Sequence, residues 1–222
     1  MMRINKYLAD TNRASRREAD TLIADGKVFV NGKKAVLGQQ VSESDTVEIR
    51  GKEKKYVYYA YNKPVGIVTS TPTTGEVDII HHIRFPEKVF PIGRLDKDSY
   101  GLIIMTNDGR ITKKMLDPNY DHEKEYEVAV DKPITPEFLE KMSAGVEIRT
   151  NTKVDHITKL AELKKISSKK FSITLTEGKN RQIRRMCETL GYEVLDLKRI
   201  RIGKILLENL KQGEYKQIEM DL

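Results

Sequence analysis

The sequence has little cysteine and no tryptophan: Cys187 is its single thiol in 222 residues. One cysteine excludes an intramolecular disulfide framework and a multi-cysteine zinc site. No stretch approaches the roughly 18 consecutive apolar residues that a membrane span needs, so a membrane partner is not expected. The first residues, MMRINKYLADTNR, lack the apolar core of a signal peptide. These absences predict a cytoplasmic protein.

The chain is rich in charge, and its basic residues are concentrated near both ends. Lys and Arg number 40 against 33 Asp and Glu, which gives a net charge of +7. The segment 1–34 holds eight basic and four acidic residues, and the segment 178–216 holds ten and five. Two such zones favour an anionic polymer such as a nucleic acid as partner, with a solvated basic surface as the alternative.

The first fifty residues read as a module of two helices and a basic hairpin. Ile4, Tyr7 and Leu8 have helical spacing, and Ser15-Arg-Arg-Glu18 matches a capping box that begins a second helix. Arg16 and Arg17 are off the apolar stripe of that helix and should face solvent. Asn31-Gly32 between Val28–Val30 and Lys33-Lys34 predicts a tight hairpin.

The rest of the chain predicts a mixed α+β core with a largely antiparallel sheet, because strands and helices do not alternate strictly. Asn62-Lys63-Pro64 is expected to break the first strand. The predicted strands are Val57–Ala60, Ile67–Thr69, Leu102–Met105, Tyr126–Val130, Phe171–Thr176 and Val194–Leu197. The predicted helices are Thr135–Met142 and Asn180–Leu190.

A polar loop between apolar stretches, Gly93–Gly101, is the first candidate site, since it carries Asp96, Asp98 and Arg94. A calcium loop fails because Tyr100 and Asn107 stand where oxygen ligands are required. A two-carboxylate hydrolase is possible, although such close spacing rarely sets two acids about one sugar. A charged turn without chemistry is the third reading.

The N-terminal module resembles the S4 RNA-binding domain, on Arg3-Ile-Asn-Lys-Tyr-Leu8, Ser15–Ala19 and Gly26–Lys33. The resemblance implies a small domain over residues 1–50 that contacts RNA phosphates. It implies those contacts for Arg3, Lys6, Arg16, Arg17 and Lys33. Residues 51–57 read as a charged linker, and residues 58–222 as a separate catalytic domain.

Four motifs together resemble the pseudouridine synthases, in the branch that modifies bacterial ribosomal RNA and carries an S4 domain. They are Asn62-Lys-Pro-x-Gly66, Gly93-Arg-Leu-Asp-x-x-Ser-x-Gly-Leu102, Lys124-Glu-Tyr126 and Gly178-Lys-Asn-Arg-Gln-Ile-Arg-Arg-Met186. Asp121–Tyr126 and Met142–Val146 are especially similar to a large-subunit ribosomal RNA enzyme. The fold implied is an S4 module beside a synthase core, with a central cleft in a mixed, mostly antiparallel sheet.

The resemblance implies one catalytic carboxylate, Asp96, which isomerises uridine to pseudouridine. Three routes stay open: attack on C1′, proton abstraction at C2′ to give a glycal, and attack on C6. Tyr126 matches the family's base-stacking tyrosine, Ile183 would line the uracil pocket, and Arg184 matches the arginine that pairs with the aspartate. Arg94 would enter the RNA stack. Asp98 is expected to be structural, because a second free anion would oppose ionisation nearby.

The expected partner is ribosomal RNA, and the resemblance implies a 23S stem-loop. We expect a monomer to bind it without metal or organic cofactor. Lys63, Arg181 and Arg185 are expected to add RNA contacts. A non-catalytic ribosome-assembly factor is the alternative from another class. A protein that only binds RNA has no use for an anion in its RNA-binding cleft, and this favours the enzyme. A third alternative, an RNA hydrolase, would require strand scission.

Overall fold

The computed structural model describes residues 1–51, 55–116, 122–149 and 155–220. Residues 52–54 of the predicted linker and Asp121 of the predicted motif lie outside this part of the chain. None of the helices in the described segments combines the length and the apolar character that a membrane crossing needs.

The N-terminal module contains the two predicted helices and five short strands, which form one sheet of three strands and one of two. Helix α1 covers Ile4–Asp10 and helix α2 covers Arg16–Ala24, where the Ser15 hydroxyl caps the second helix by accepting from Glu18 N. Asn31 and Gly32 have φ values of 49° and 77°, as a tight hairpin requires, because both central positions are left-handed. The strands are β1 Met2–Arg3, β2 Val28–Val30, β3 Lys33–Lys34, β4 Gln40–Val41 and β5 Val47–Ile49.

In the described part of the chain, the larger core is one mixed sheet of nine strands with helices packed against it. The sheet order is β12-β13-β9-β14-β8-β6-β16, with β15 paired to β14 and β7 paired to β8. Its strands are β6 Tyr58–Lys63, β7 Phe90–Ile92, β8 Tyr100–Thr106, β9 Lys124–Val130, β12 Glu162–Ser167, β13 Lys170–Leu175, β14 Val194–Ile202, β15 Ile205–Leu206 and β16 Tyr215–Ile218. The helices are α3 Ile79–His82, α4 Arg110–Leu116, α5 Pro136–Ala144 and α6 Gln182–Thr189. Strands β10 Glu147–Arg149 and β11 Asp155–Ile157 pair antiparallel as a separate sheet.

Pairing in this sheet is antiparallel for every described neighbour pair except β8 with β14. The predicted α+β class with a mostly antiparallel sheet is therefore confirmed. Parallel neighbours begin at the same edge of a sheet, so the loop that enters β8 and the helix that precedes β14 meet there. The core comprises one apolar cluster around β9, β13, α5 and α6, and two more that take alternate residues of β6 and β8.

Two predicted details of the sheet are wrong. Strand β6 continues through Asn62 and Lys63, which pair with Leu102 and Gly101 of β8, and it ends only before Pro64. Proline cannot donate to a ladder, whereas asparagine and lysine can, so the break falls at Pro64, two residues after the Asn62 at which it was predicted to begin. Ile67–Thr69 forms no strand; Val68 makes a single bridge to Asp78.

The N-terminal module contacts the core at the start of α4. Arg110 donates to the Asn12 carbonyl at 3.3 Å and stacks over the ring of Tyr56 at 3.9 Å. Asp108 is fully buried and pairs with the Arg110 guanidinium at 2.7 Å. The pKa of Tyr56 is raised, first by burial and then by the charge of the Glu18 carboxylate on α2. These contacts join a helix of the module to the end of β8, the strand that follows the candidate site.

Candidate active site

The candidate loop is fixed to the core on its apolar side. It runs from Gly93 to Ser99 between β7 and β8, and Leu95 is buried within it. The Thr69 hydroxyl donates to the Leu95 carbonyl at 2.7 Å and accepts from Leu95 N at 3.0 Å. Ser99 N closes a turn on the Asp96 carbonyl at 3.1 Å. Asp96 therefore sits next to a doubly anchored residue, which limits how far its carboxylate can move.

Asp96 lines a cleft of about 220 Å³, and its side chain is 30% exposed. The predicted catalytic carboxylate is thus accessible while still partly removed from water. Hydroxyl groups and one ion pair, Lys97 with Glu76 at 2.9 Å, line much of the wall. The lining residues are Val68, Thr69, Ser70, Thr71, Glu76, Arg94, Leu95, Asp96 and Lys97.

Two arginines from the start of α6 converge on the candidate loop. Arg181 donates from both terminal nitrogens to the Asp98 carboxylate at 3.0 Å and lies 4.0 Å from Asp96 Oδ2. Arg184 Nε lies 3.3 Å from Asp98 Oδ2, and its Nη2 donates to the Asp98 carbonyl at 2.9 Å. Burial acts to raise the pKa of Asp98, but the Arg181 hydrogen bond and the Arg184 charge lower it below its ordinary value.

The structure corrects the partner predicted for Asp96. Arg184 pairs with Asp98, and the guanidinium within 4.0 Å of Asp96 belongs to Arg181, which was expected to face RNA. Arg181 precedes the helix with a φ of 53°, a left-handed conformation that costs a non-glycine residue roughly 1–2 kcal/mol. Arg184 is one turn further on, and its Nη1 also donates to Val194 O at 3.1 Å. Both arginines therefore meet Asp98, and of the two it is Arg181, just before the helix, that also comes within 4.0 Å of Asp96.

The prediction that Lys63 binds RNA is also wrong, because Lys63 is 0% exposed. Its ammonium donates to the carbonyls of Pro64 at 2.9 Å and Ile67 at 2.7 Å. Burial lowers the pKa of Lys63 to about 8, against the opposing effect of Asp96 and Asp98. Lys63 is a buried cation beneath the candidate loop and not a phosphate contact.

Tyr126 and Ile183 pack on the same apolar cluster beside the loop. Ile183 is buried in it and Tyr126 is partly buried against it. Tyr126 of β9 pairs with Arg199 of β14, and Arg199 pairs with Gly101 of β8, so Tyr126 lies two strands from the end of the loop. At about 4.8 Å per strand, the backbones of Tyr126 and Gly101 lie roughly 10 Å apart, with β14 between them.

The remaining basic residues that were predicted to bind RNA are either exposed or hydrogen-bonded within the protein. Arg94 is exposed and lines the cleft, whereas Arg185 donates to the Arg149 carbonyl at 2.8 Å. In the N-terminal module the predicted phosphate contacts are all exposed: Arg3, Lys6, Arg16, Arg17 and Lys33. No cluster of three or more His, Cys, Asp or Glu side chains within the described ranges could hold a metal ion.

Sequence reasoning missed two residues that hold the loop, Thr69 and Arg199. Arg199 is 3% exposed and donates to the carbonyls of Leu102 and Arg94. Alternate residues of a strand face the same side, so Arg199 shares a face with the buried Leu197. That alternation would have predicted a buried position for Arg199. Thr69 carries no comparable signal, because its two hydrogen bonds reach across 26 residues.

Comparison with known proteins identifies both parts of the chain. The sequence pattern described as RNA pseudouridylate synthase matches residues 57–189, and the S4 domain pattern matches residues 2–47. The chain is 46% identical to the dual-specificity RNA pseudouridine synthase RluF of Escherichia coli (strain K12), over 99% of this chain and 76% of that protein. It is 36% identical to ribosomal large subunit pseudouridine synthase B of Bacillus subtilis (strain 168), over 98% and 92%.

A solved structure described as a pseudouridylate synthase superposes with a TM-score of 0.72 at 28% identity, covering 99% of this chain and 96% of that one. The predicted combination of an S4 domain with a synthase core is thereby confirmed. Taken together, the motifs, the fold and the extent of these matches show that the chain belongs to the RNA pseudouridylate synthase family and carries an S4 domain at its N-terminal end.

Proposed function

We propose that this protein isomerises a uridine of large-subunit (23S) ribosomal RNA to pseudouridine, with Asp96 as the catalytic carboxylate. The N1–C1′ bond of the nucleoside breaks and a C5–C1′ bond forms, while the proton on C5 is lost and N1 gains one. The observation that carries the proposal is the placement of Asp96: it lines the cleft on an anchored loop, 4.0 Å from the Arg181 guanidinium.

The ionic state of Asp98 supports an isomerase over a hydrolase. A glycosidase needs a second carboxyl group that holds a proton as general acid, and such an acid requires a raised pKa. The pKa of Asp98 is lowered, although burial opposes this, by Arg181 and Arg184. Asp98 is therefore a fixed anion that orients two arginines. One free carboxylate suffices for an isomerisation, because the leaving base is reattached and nothing is hydrolysed.

Access to the ribose requires that the target uridine leave its stack, which costs a few kcal/mol. We assign Tyr126 as the planar partner of the extruded base, and Ile183 as part of the apolar wall beside it. Arg94 is exposed at the mouth of the cleft, so we assign it to the gap left in the RNA stack. These roles fit a target in a loop, where bases splay readily.

We propose that the S4 module, residues 1–50, supplies phosphate contacts through its exposed basic residues. Residues 51–57 would connect it to a catalytic domain over residues 58–222. Arg185 would add a further RNA contact. We further propose that a monomer acts on a 23S stem-loop in the cytoplasm, without a metal or organic cofactor.

The test of Asp96 compares two isosteric variants of the same loop, Asp96→Asn and Asp98→Asn. RNA labelled with tritium at uridine C5 releases the label when the C5–C1′ bond forms. We expect no release above the RNA-only level from Asp96→Asn, with RNA affinity retained. Asp98→Asn should keep turnover and lose about tenfold in rate, the effect of roughly 1.4 kcal/mol on the barrier. Release by Asp96→Asn near the wild-type rate would refute the assignment.

The substrate is tested separately, by mapping carbodiimide-adduct stops along ribosomal RNA from cells with and without the protein. We expect at least one stop in 23S RNA to depend on the protein. Restoration by the wild-type gene, and not by the Asp96→Asn gene, would link that stop to the catalytic carboxylate. Identical maps from the two kinds of cell would contradict a large-subunit RNA substrate.

A further inference from the structure

Arg199 lies at the centre of the sheet, between the two strands that frame the candidate site. Its backbone pairs with Tyr126 of β9 on one side and with Gly101 of β8 on the other. The residue is 3% exposed, so its guanidinium is beneath the cleft and not in it. Substrate cannot reach this side chain without a rearrangement of the sheet, and any effect on the reaction must act through other residues.

The guanidinium connects the two ends of the segment that carries Asp96. Nε donates to the Leu102 carbonyl at 2.7 Å, and Nη1 donates to the Arg94 carbonyl at 3.3 Å. These two carbonyls flank Asp96 and Asp98 in the sequence. One rigid, planar group therefore fixes the distance between the entry and the exit of the loop.

The backbone of Arg199 restrains the exit of the same loop a second time. Gly101 has a φ of +111°, and a Cβ atom built there would lie 2.3 Å from the Arg199 carbonyl oxygen. Only glycine allows both the conformation and the approach. The loop therefore leaves the site against the Arg199 backbone while its carbonyls are held by the Arg199 side chain.

The charge of Arg199 is not needed for a structural ion pair. Among the residues that the structure describes, no carboxylate lies within 4.0 Å of its guanidinium, and Nη2 is buried without a hydrogen-bond partner. A buried, uncompensated guanidinium is unfavourable for folding, so a packed apolar side chain would serve stability better. Such local cost is typical of functional sites.

We propose that Arg199 is a positioning residue for the isomerisation: it clamps the ends of the Asp96 loop so that the carboxylate is held at the correct distance from the ribose. The inference rests on the proposed role of Asp96. A displacement of about 1 Å at a reacting group can cost on the order of 100-fold in rate, so a clamp beneath the site is sufficient to matter. Binding of RNA, which contacts other surfaces, should depend on the clamp far less.

The experiment compares Arg199→Lys and Arg199→Met with Arg201→Met. Arg201 is on the same strand, but it pairs with Glu125 and Glu123 at 2.8 Å and does not contact the loop, which makes it a matched control. Single-turnover tritium release at saturating enzyme measures the chemical step, and RNA anisotropy measures affinity. Thermal unfolding of each variant measures stability.

We expect Arg199→Lys to fall about 10- to 100-fold in single-turnover rate, because an ammonium lacks the planar fork that holds the Leu102 and Arg94 carbonyls in fixed positions. RNA affinity should change less than about threefold, and Arg201→Met should keep the wild-type rate within about twofold. Amide hydrogen exchange should speed up within residues 94–102 of Arg199→Met and stay unchanged in β13. This local loosening is the readout that a general loss of stability would not give.

Wild-type rates in Arg199→Lys and Arg199→Met would overturn the proposal. A rate loss matched by Arg201→Met, or a loss of affinity equal to the loss of rate, would overturn it as well. Global unfolding of both Arg199 variants would assign the residue to the stability of the sheet instead. Failure here is distinguishable from failure of the proposed function: an inactive Asp96→Asn beside a fully active Arg199→Lys removes only the clamp.

Discussion

The buried ammonium of Lys63 predicts an unusual dependence of stability on alkaline pH. The side chain is 0% exposed, and burial lowers its pKa from 10.5 to about 8. Each pKa unit corresponds to about 1.4 kcal/mol, so burying the charged form costs the folded state about 3 kcal/mol. The neutral amine avoids that cost and still has two N–H groups for its two carbonyl partners, Pro64 and Ile67.

The sign of this pH dependence follows from whether the folded or the unfolded chain holds the proton on Lys63. Between pH 8 and pH 10.5 the unfolded chain keeps the proton on Lys63 and the folded chain loses it, so the Lys63 contribution to stability rises with pH. Below pH 8 both states hold the proton and the full cost is present. Relative to Lys63→Met, the wild type should therefore gain about 2–3 kcal/mol of unfolding free energy between pH 7 and pH 10.

The assay is urea unfolding of both proteins at several pH values, compared as a difference. Burial raises the pKa values of Tyr58, Tyr61 and Tyr100 from 10.0 to about 12, so their contribution to stability falls as the pH rises above 10. These tyrosines are present in both proteins, and their contribution cancels in the difference. Lys164→Met, at an exposed position of β12, controls for the loss of a lysine. A difference between wild type and Lys63→Met that stays constant from pH 7 to pH 10 would refute the reasoning.

Two further predictions concern RNA. Tyr126→Phe should keep its single-turnover rate within about threefold, whereas Tyr126→Leu should lose base stacking worth about 1–3 kcal/mol, or roughly 5- to 150-fold; equal tritium-release rates for the two variants would exclude the stacking role. Arg16→Gln combined with Arg17→Gln should make the plot of log affinity against log salt shallower by about 1.4, since each lost phosphate contact removes about 0.7. An unchanged slope would mean that these exposed arginines of α2 do not touch RNA phosphates.

Local features of the fold were predictable because their signals lie within a few residues. Ser15 and Thr135 cap the two helices that the sequence predicts after them. Each hydroxyl accepts a hydrogen bond from the backbone N–H three residues later. Pro136 begins α5, and Asn31-Gly32 forms the hairpin turn. In each case the deciding hydrogen bond or backbone angle belongs to neighbouring residues, so the sequence contains the whole interaction.

The features that were predicted wrongly depend on strand pairing. Asn62 and Lys63 belong to β6 because β8 offers them partners, although their residue types suggested a break. Ile67–Thr69 has strand-forming residues, but only Val68 finds a bridging partner. Strand formation depends on a neighbour that is distant in sequence, and that neighbour is not readable from the segment itself.

The sequence alone determined which chemical groups this protein brings to its site: a short-range motif supplies Asp96 and Asp98, and another supplies the arginines of α6. The tertiary structure alone decided how those groups are paired. It gave Asp98, and not Asp96, to Arg184, brought Arg181 to within 4.0 Å of Asp96, and buried Lys63 and Arg199 beneath the loop. The physical reason is that β8 and β14 run parallel, so segments roughly 80 residues apart enter the sheet at one edge, and side-chain distances at that edge are set by packing.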